Sequence, residues 1–159
     1  MWPSRHRPKH RRKLSASWLL ALGLTAVGSK ALAVDFKSVG PGPAVMFDAP
    51  TQKARKLYIA PAGMPVEIVF VNGDWTRVRD AGGALSWMET RALSPRRTLI
   101  VEVPQASVRS TADDAAPVLF IAAKGVLLEL AETVASGWIK VKHRDGETGY
   151  VKAAEVWGE

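Results

Sequence analysis

Alternating apolar and polar positions dominate the chain after its first third. VEIVF (66–70) places Val66, Ile68 and Phe70 on one face and Glu67 on the other, the period of two that a half-buried strand requires. LLELA (127–131) repeats this pattern with Glu129 facing out. WTRVR (75–79) and WIKVK (138–142) also read as strands. Successive side chains in a strand point to opposite faces, so Thr76 and Val78, and Ile139 and Val141, lie opposite the tryptophans and cations. DAGG (80–83) and HRDG (143–146) are turn formers between these strands and the return strands ALSWM (84–88) and TGYV (148–151). TLIVEV (98–103) is one more strand, either bridging the two halves or opening the second. The mature chain shows no long amphipathic helix.

The pattern is stated twice. WTRVRDAGGALSWMETRAL (75–93) aligns with WIKVKHRDGETGYVKAAEV (138–156) at an offset of 63, and Leu57-Tyr58-Ile59-Ala60 aligns with Leu119-Phe120-Ile121-Ala122 at an offset of 62. Gly63 and Gly125, Glu67 and Glu129, Trp75 and Trp138, and Gly83 and Gly146 occupy matching places. One extra residue before Trp138 accounts for the change in offset. Such self-similarity marks an internal duplication, here of units spanning 36–97 and 98–159.

Charge changes the picture only once it is localised. The net charge of +7 sits in the leader: MWPSRHRPKHRRK carries six Lys or Arg and no acid. An apolar run from Leu14 to Ser29 follows, then Ala31-Leu32-Ala33. A basic segment, a short apolar segment and a small-x-small site describe a secretory signal peptide over residues 1–33, cleaved after Ala33. The apolar run is short of the roughly 20 residues that span a bilayer, so membrane contact is expected only during export. Arg11-Arg12 loosely fits a twin-arginine signal, but no cofactor motif follows, and the general secretory route is preferred. The remaining chain carries 15 Lys or Arg against 15 Asp or Glu, which removes the basic-patch case for nucleic acid. The chain has no cysteine, hence no disulfide, thiol nucleophile or lipid-bearing cysteine. A soluble periplasmic or secreted protein is expected.

Chemistry is sparse. His143-Arg144-Asp145 matches the opening of the protein-kinase catalytic loop, but the other kinase elements are missing, and it aligns with Asp80-Ala81-Gly82 of the first unit. It reads as a turn. With one histidine and no cysteine after residue 33, a His/Cys metal site is excluded. Asp113-Asp114 reads as a solvated loop. No catalytic residue, metal or cofactor is expected.

Gly137-Trp138-Ile139-Lys140-Val141 and Gly149-Tyr150-Val151 resemble the bacterial Src-homology-3-like (SH3-like) family. Ser107-Val108-Arg109-Ser110 is similar to that family's N-V-R-S opening. Asp74-Trp75-Thr76-Arg77-Val78 and Ser86-Trp87-Met88 match it more loosely, and Val45-Met46-Phe47-Asp48 is similar to the A-L-Y-D start of eukaryotic relatives. The resemblance covers most of residues 44–157. It implies an all-β fold of two small five-stranded SH3-like barrels in tandem, and an exported, non-catalytic binding module for cell-wall peptide or an envelope protein. The alternative is a scaffold whose barrels pack on each other or on another copy.

Aromatic residues are the candidate contacts. Trp75 and Trp138 either line a groove and stack against a peptide or sugar, or pack beneath the 48–62 and 110–124 loops. Phe47 and Tyr58 could complete a groove with Trp75. Arg109 stands where the first unit has Phe47, so the two units are expected to differ in task. Tyr150, like Trp87, lies in a return strand, where a partly buried packing role is favoured over ligand contact.

Overall fold

The structure, a computed structural model, describes residues 34–134 and 136–159, with only the backbone of Val134. The expected signal segment and its cleavage site at Ala33 lie outside the described residues. These residues form two antiparallel sheets. The first holds β1 (Phe36–Val39), β2 (Ala44–Phe47), β3 (Lys56–Ala60), β4 (Pro65–Asn72), β5 (Trp75–Arg79), β6 (Leu85–Glu89) and β7 (Leu93–Ser94). The second holds β8 (Thr98–Val101), β9 (Gln105–Arg109), β10 (Val118–Ala123), β11 (Leu127–Val134), β12 (Trp138–Lys142), β13 (Thr148–Lys152) and β14 (Val156–Trp157). A 3-10 turn, Thr90–Ala92 or Ala153–Glu155, precedes the last strand of each. No helix among the described residues is long and apolar enough to cross a membrane.

The duplication extends to topology. The strand order is β3-β2-β6-β5-β4-β1-β7 in one sheet and β10-β9-β13-β12-β11-β8-β14 in the other, the same order shifted by seven. Each sheet folds around its own core. Val39, Met46, Val66, Val78 and Met88 fill the first, and Leu99, Val108, Leu128, Ile139, Val141 and Val151 fill the second. Fully burying one such side chain contributes about 1.5–3 kcal/mol. Thr76 is buried beside Val78, and Ile139 beside Val141, in keeping with strand parity.

Several details depart from the sequence pattern. It implies five strands per domain, whereas each sheet has seven, because β1 and β8 are inserted beside β4 and β11 and carry the short β7 and β14. TLIVEV opens the second domain, as β8 pairs with β11 and β14. The 48–62 and 110–124 loops are shorter than expected, because β3 and β10 occupy their second halves. Phe70 does not share a face with Val66. The β4–β5 register shifts between Ile68 and Phe70, and such a bulge turns the following side chains over. Phe70 is therefore 57% exposed, and its ring meets Trp87 edge-on at 6.3 Å.

A built seam joins the two domains. Ser38 Oγ and Thr98 Oγ1 are 2.7 Å apart, the Thr98 N–H donates to Ser38 Oγ at 3.1 Å, and Thr98 Oγ1 donates to the Gly63 carbonyl at 2.6 Å. Both side chains are buried. Buried polar groups are tolerated when hydrogen-bonded, and here each satisfies the other across the boundary. Phe36 meets Trp157 edge-to-face at 4.9 Å, and the Arg97 guanidinium lies over the Phe36 ring, 5.6 Å from its centroid.

Candidate functional site

β5 positions Trp75. Inward Thr76 and Val78 anchor the strand, so Trp75 is carried on the outer face, half-buried. Its ring meets Phe47 edge-to-face at 5.3 Å, with the planes at 85°. Aromatic pairs favour this geometry because the positive ring edge meets the negative face. Phe47 itself is buried, 6% exposed, so it supports the indole instead of offering a second open surface.

Trp75 lines a cleft of about 650 Å³ with Pro50, Gln52, Lys53, Asp74, Glu89 and Arg91. Gln52 Nε2 donates to Glu89 Oε1 at 2.7 Å, and Arg91 Nε donates to Glu89 Oε2 at 2.8 Å. These bonds, that of Arg91 first, hold the Glu89 carboxyl below the usual range. The Gln52–Glu89 bond also separates this cleft from a neighbour of about 360 Å³, which Phe47, Val45 and Lys56 line. Lys53 and Asp74 form no ion pair among the described residues. The cleft thus offers a flat apolar face with one cation, Lys53, and one anion, Asp74, outside any ion pair, the Asp74 charge acting only weakly on Arg91.

Tyr58 is not part of this arrangement. Its hydroxyl donates to Asp80 Oδ2 at 3.0 Å, across the hairpin turn. Burial first, and then the Asp80 charge, push its pKa up to about 12. The sequence suggests a Phe47–Tyr58–Trp75 groove, and the structure brings together only Phe47 and Trp75. Gln52 and Glu89 carried no motif that sequence reasoning could use.

In the second domain the corresponding place is closed. Trp138 is on the outer face but only 8% exposed. Lys152 lies over its ring, 5.7 Å from Nζ to centroid, and is tied to Asp114 at 2.5 Å. Lys152 stands where the first domain has Glu89. Arg109, in the place of Phe47, donates to the Ala116 carbonyl at 2.7 Å. Tyr150 is half-buried, in register with Lys140 and Arg109. Neither Trp138 nor Tyr150 lines the Trp75 cleft.

His143-Arg144-Asp145 forms the β12–β13 turn. The His143 N–H donates to the Glu147 carbonyl at 2.8 Å, and the Gly146 N–H donates to the His143 carbonyl at 2.9 Å. Asp80 and Gly83 make the same pair of bonds in the first domain. Gly83 and Gly146 have φ of 84° and 100°, a region open to glycine at no steric cost. His143 Nδ1 lies 2.7 Å from Asp145 Oδ1, and this bond is the main cause holding the Asp145 carboxyl below its usual range. Among the described residues no cluster of three His, Cys, Asp or Glu is placed to hold a metal.

The family model described as "Bacterial SH3 domain" matches the chain twice, over residues 40–95 and 102–158. No curated protein matches. Among solved structures, NlpC2 from Trichomonas vaginalis is similar at 15% identity and TM-score 0.36, covering 79% of this chain and 48% of that one. NlpC1 from the same organism is similar at 14% identity and TM-score 0.36, with coverages of 82% and 48%. An NlpC/P60 family protein from Bacillus cereus is similar at 14% identity and TM-score 0.36, with coverages of 77% and 56%. The chain thus spans about half the length of each of these proteins.

Proposed function

Because the chain belongs to the bacterial SH3 domain family, we propose that it is an exported, non-catalytic binding module whose first domain holds cell-wall peptide in the Trp75 cleft. One observation carries this reading: a half-buried indole braced by Phe47, between an unpaired Lys53 and an unpaired Asp74. Pockets that fix small ligands combine an apolar surface with a few placed polar groups. This set suits a short peptide with both a carboxylate and an amine. The closed counterpart at Trp138 gives the second domain a supporting task. Residues 1–33 would deliver the protein to the periplasm or the exterior, and an intact mass beginning at Val34 checks that step.

The seam between the domains favours a second reading, a scaffold whose barrels pack on each other. Co-sedimentation with purified peptidoglycan separates the two. On the binding reading, Trp75→Ala abolishes sedimentation while the protein stays folded. On the scaffold reading, wild type and variant stay alike in the supernatant.

A further inference from the structure

A further recess runs between the two domains. It has a volume of about 710 Å³, with Val39, Val126 and Leu127 in its apolar wall and Lys142, His143 and Arg144 on its rim. The carboxylate on its lining is Glu129.

The charges here follow from a change of partner between the duplicated domains. In the first domain, Arg79 and Glu67 face each other across β5 and β4, and Arg79 Nη1 donates to both carboxylate oxygens at 3.0 and 2.8 Å. The second domain keeps these positions as Lys142 opposite Glu129. There Glu129 bonds instead to Arg96, from the segment connecting the domains. Lys142 and Arg144 are exposed and form no ion pair among the described residues. The connector arginine thus takes the hydrogen bond of the acid opposite Lys142, which keeps only a minor charge interaction with it, so two exposed cations remain beside an aliphatic wall. The hydrogen bonds of Ser38 and Thr98 hold the two sides of the recess together.

We propose that this inter-domain recess is a ligand site, distinct from the Trp75 cleft, for a short peptide whose carboxylate lies beside an aliphatic side chain. Lys142 and Arg144 receive the carboxylate, and Val126 and Leu127 receive the aliphatic group. Arg96 acts as a positioning residue by occupying Glu129.

The test is calorimetric titration of the full chain with acetyl-Ala-Leu-Glu, beside acetyl-Ala-Leu-Gln-amide and inorganic phosphate. The acidic peptide is expected to bind saturably, and the neutral one about tenfold more weakly or worse, since hydrogen bonds to charged groups are the stronger class. Rising salt should weaken the acidic peptide, because exposed charges are screened. Lys142→Gln with Arg144→Gln removes about tenfold or more of the affinity. Arg96→Ala also weakens binding, because Glu129 then turns to Lys142, an effect that a purely structural arginine would not produce in a protein with an unchanged melt. Amide shifts at Gly125 and Leu127 on titration support the location. Equal binding of the neutral peptide, phosphate binding as well as the acidic peptide, wild-type affinity in the double variant, or shifts confined elsewhere would each overturn the proposal.

Discussion

Replacing each of the paired tryptophans by alanine gives unequal losses. Trp138 is 8% exposed, and its ring is roofed by Lys152, which Asp114 holds in place. Truncating a buried tryptophan costs about 3–5 kcal/mol through lost transfer energy and the cavity left behind. Loss of the Lys152 contact adds about 0.5–1 kcal/mol. Against a total stability of roughly 5–15 kcal/mol, Trp138→Ala removes much of the margin and lowers the melting midpoint by about 10–20 °C. Trp75 is half-buried over an open cleft, so Trp75→Ala leaves little enclosed void and costs about 1–2 kcal/mol, within the common range for point mutants. Thermal melts followed by far-UV circular dichroism measure both. Equal losses, or a loss below about 1 kcal/mol for Trp138→Ala, would refute the distinction between a supporting and an accessible indole.

Gly149→Ala places its Cβ 2.6 Å from Val108 Cγ1 and 2.8 Å from the Arg109 carbonyl oxygen; it should destabilise by about 1–3 kcal/mol or more in denaturant titration, as overpacking does. Tyr58 should titrate late, near pH 12, in a 295 nm absorbance titration. Its folded pKa is raised, so its contribution to stability is complete below the unfolded value near 10 and is lost as pH rises through the folded value. Ser38→Ala removes the cross-domain acceptor of the Thr98 N–H, while Thr98 Oγ1 keeps its bond to the Gly63 carbonyl; it should cost about 1–3 kcal/mol, the usual penalty for a buried group left unsatisfied, and calorimetry should show wild type melting in one transition.

Strand parity made much of this fold readable. Thr76, Val78, Ile139 and Val141 alternate with polar neighbours, and their burial follows. The duplication was readable for the same reason, since Trp75 and Trp138 open equivalent strands. Parity failed at Phe70, where a bulge inserts a residue that no local composition marks. β1 went unseen because FKSV is short and follows the leader; shifting TLIV of the second repeat by 62 positions would have found it. In the candidate site, the outward placement of Trp75 was legible, but the states of the aromatics depended on distant partners. Tyr58 is drawn to Asp80, 22 residues away, and Trp138 is covered through a bond between Lys152 and Asp114. The Arg96–Glu129 bond joins residues 33 apart in the chain, and alternation along a strand carries no information about such a pair.

The seam at Ser38 and Thr98 also bears on avidity. Two binding places on a loose tether sample many separations, and the second contact then forms at an effective concentration set by tether length. Here the connector between β7 and β8 is only residues 95–97, and the buried hydroxyl pair closes the joint. The Trp75 cleft and the inter-domain recess are therefore held at one separation. If both proposed places bind, a ligand matched to that distance would gain from both contacts at once, and a longer or shorter one from a single contact. On the two binding proposals above, the joint would work as a ruler, favouring a ligand by the spacing of its contact groups as well as by their chemistry.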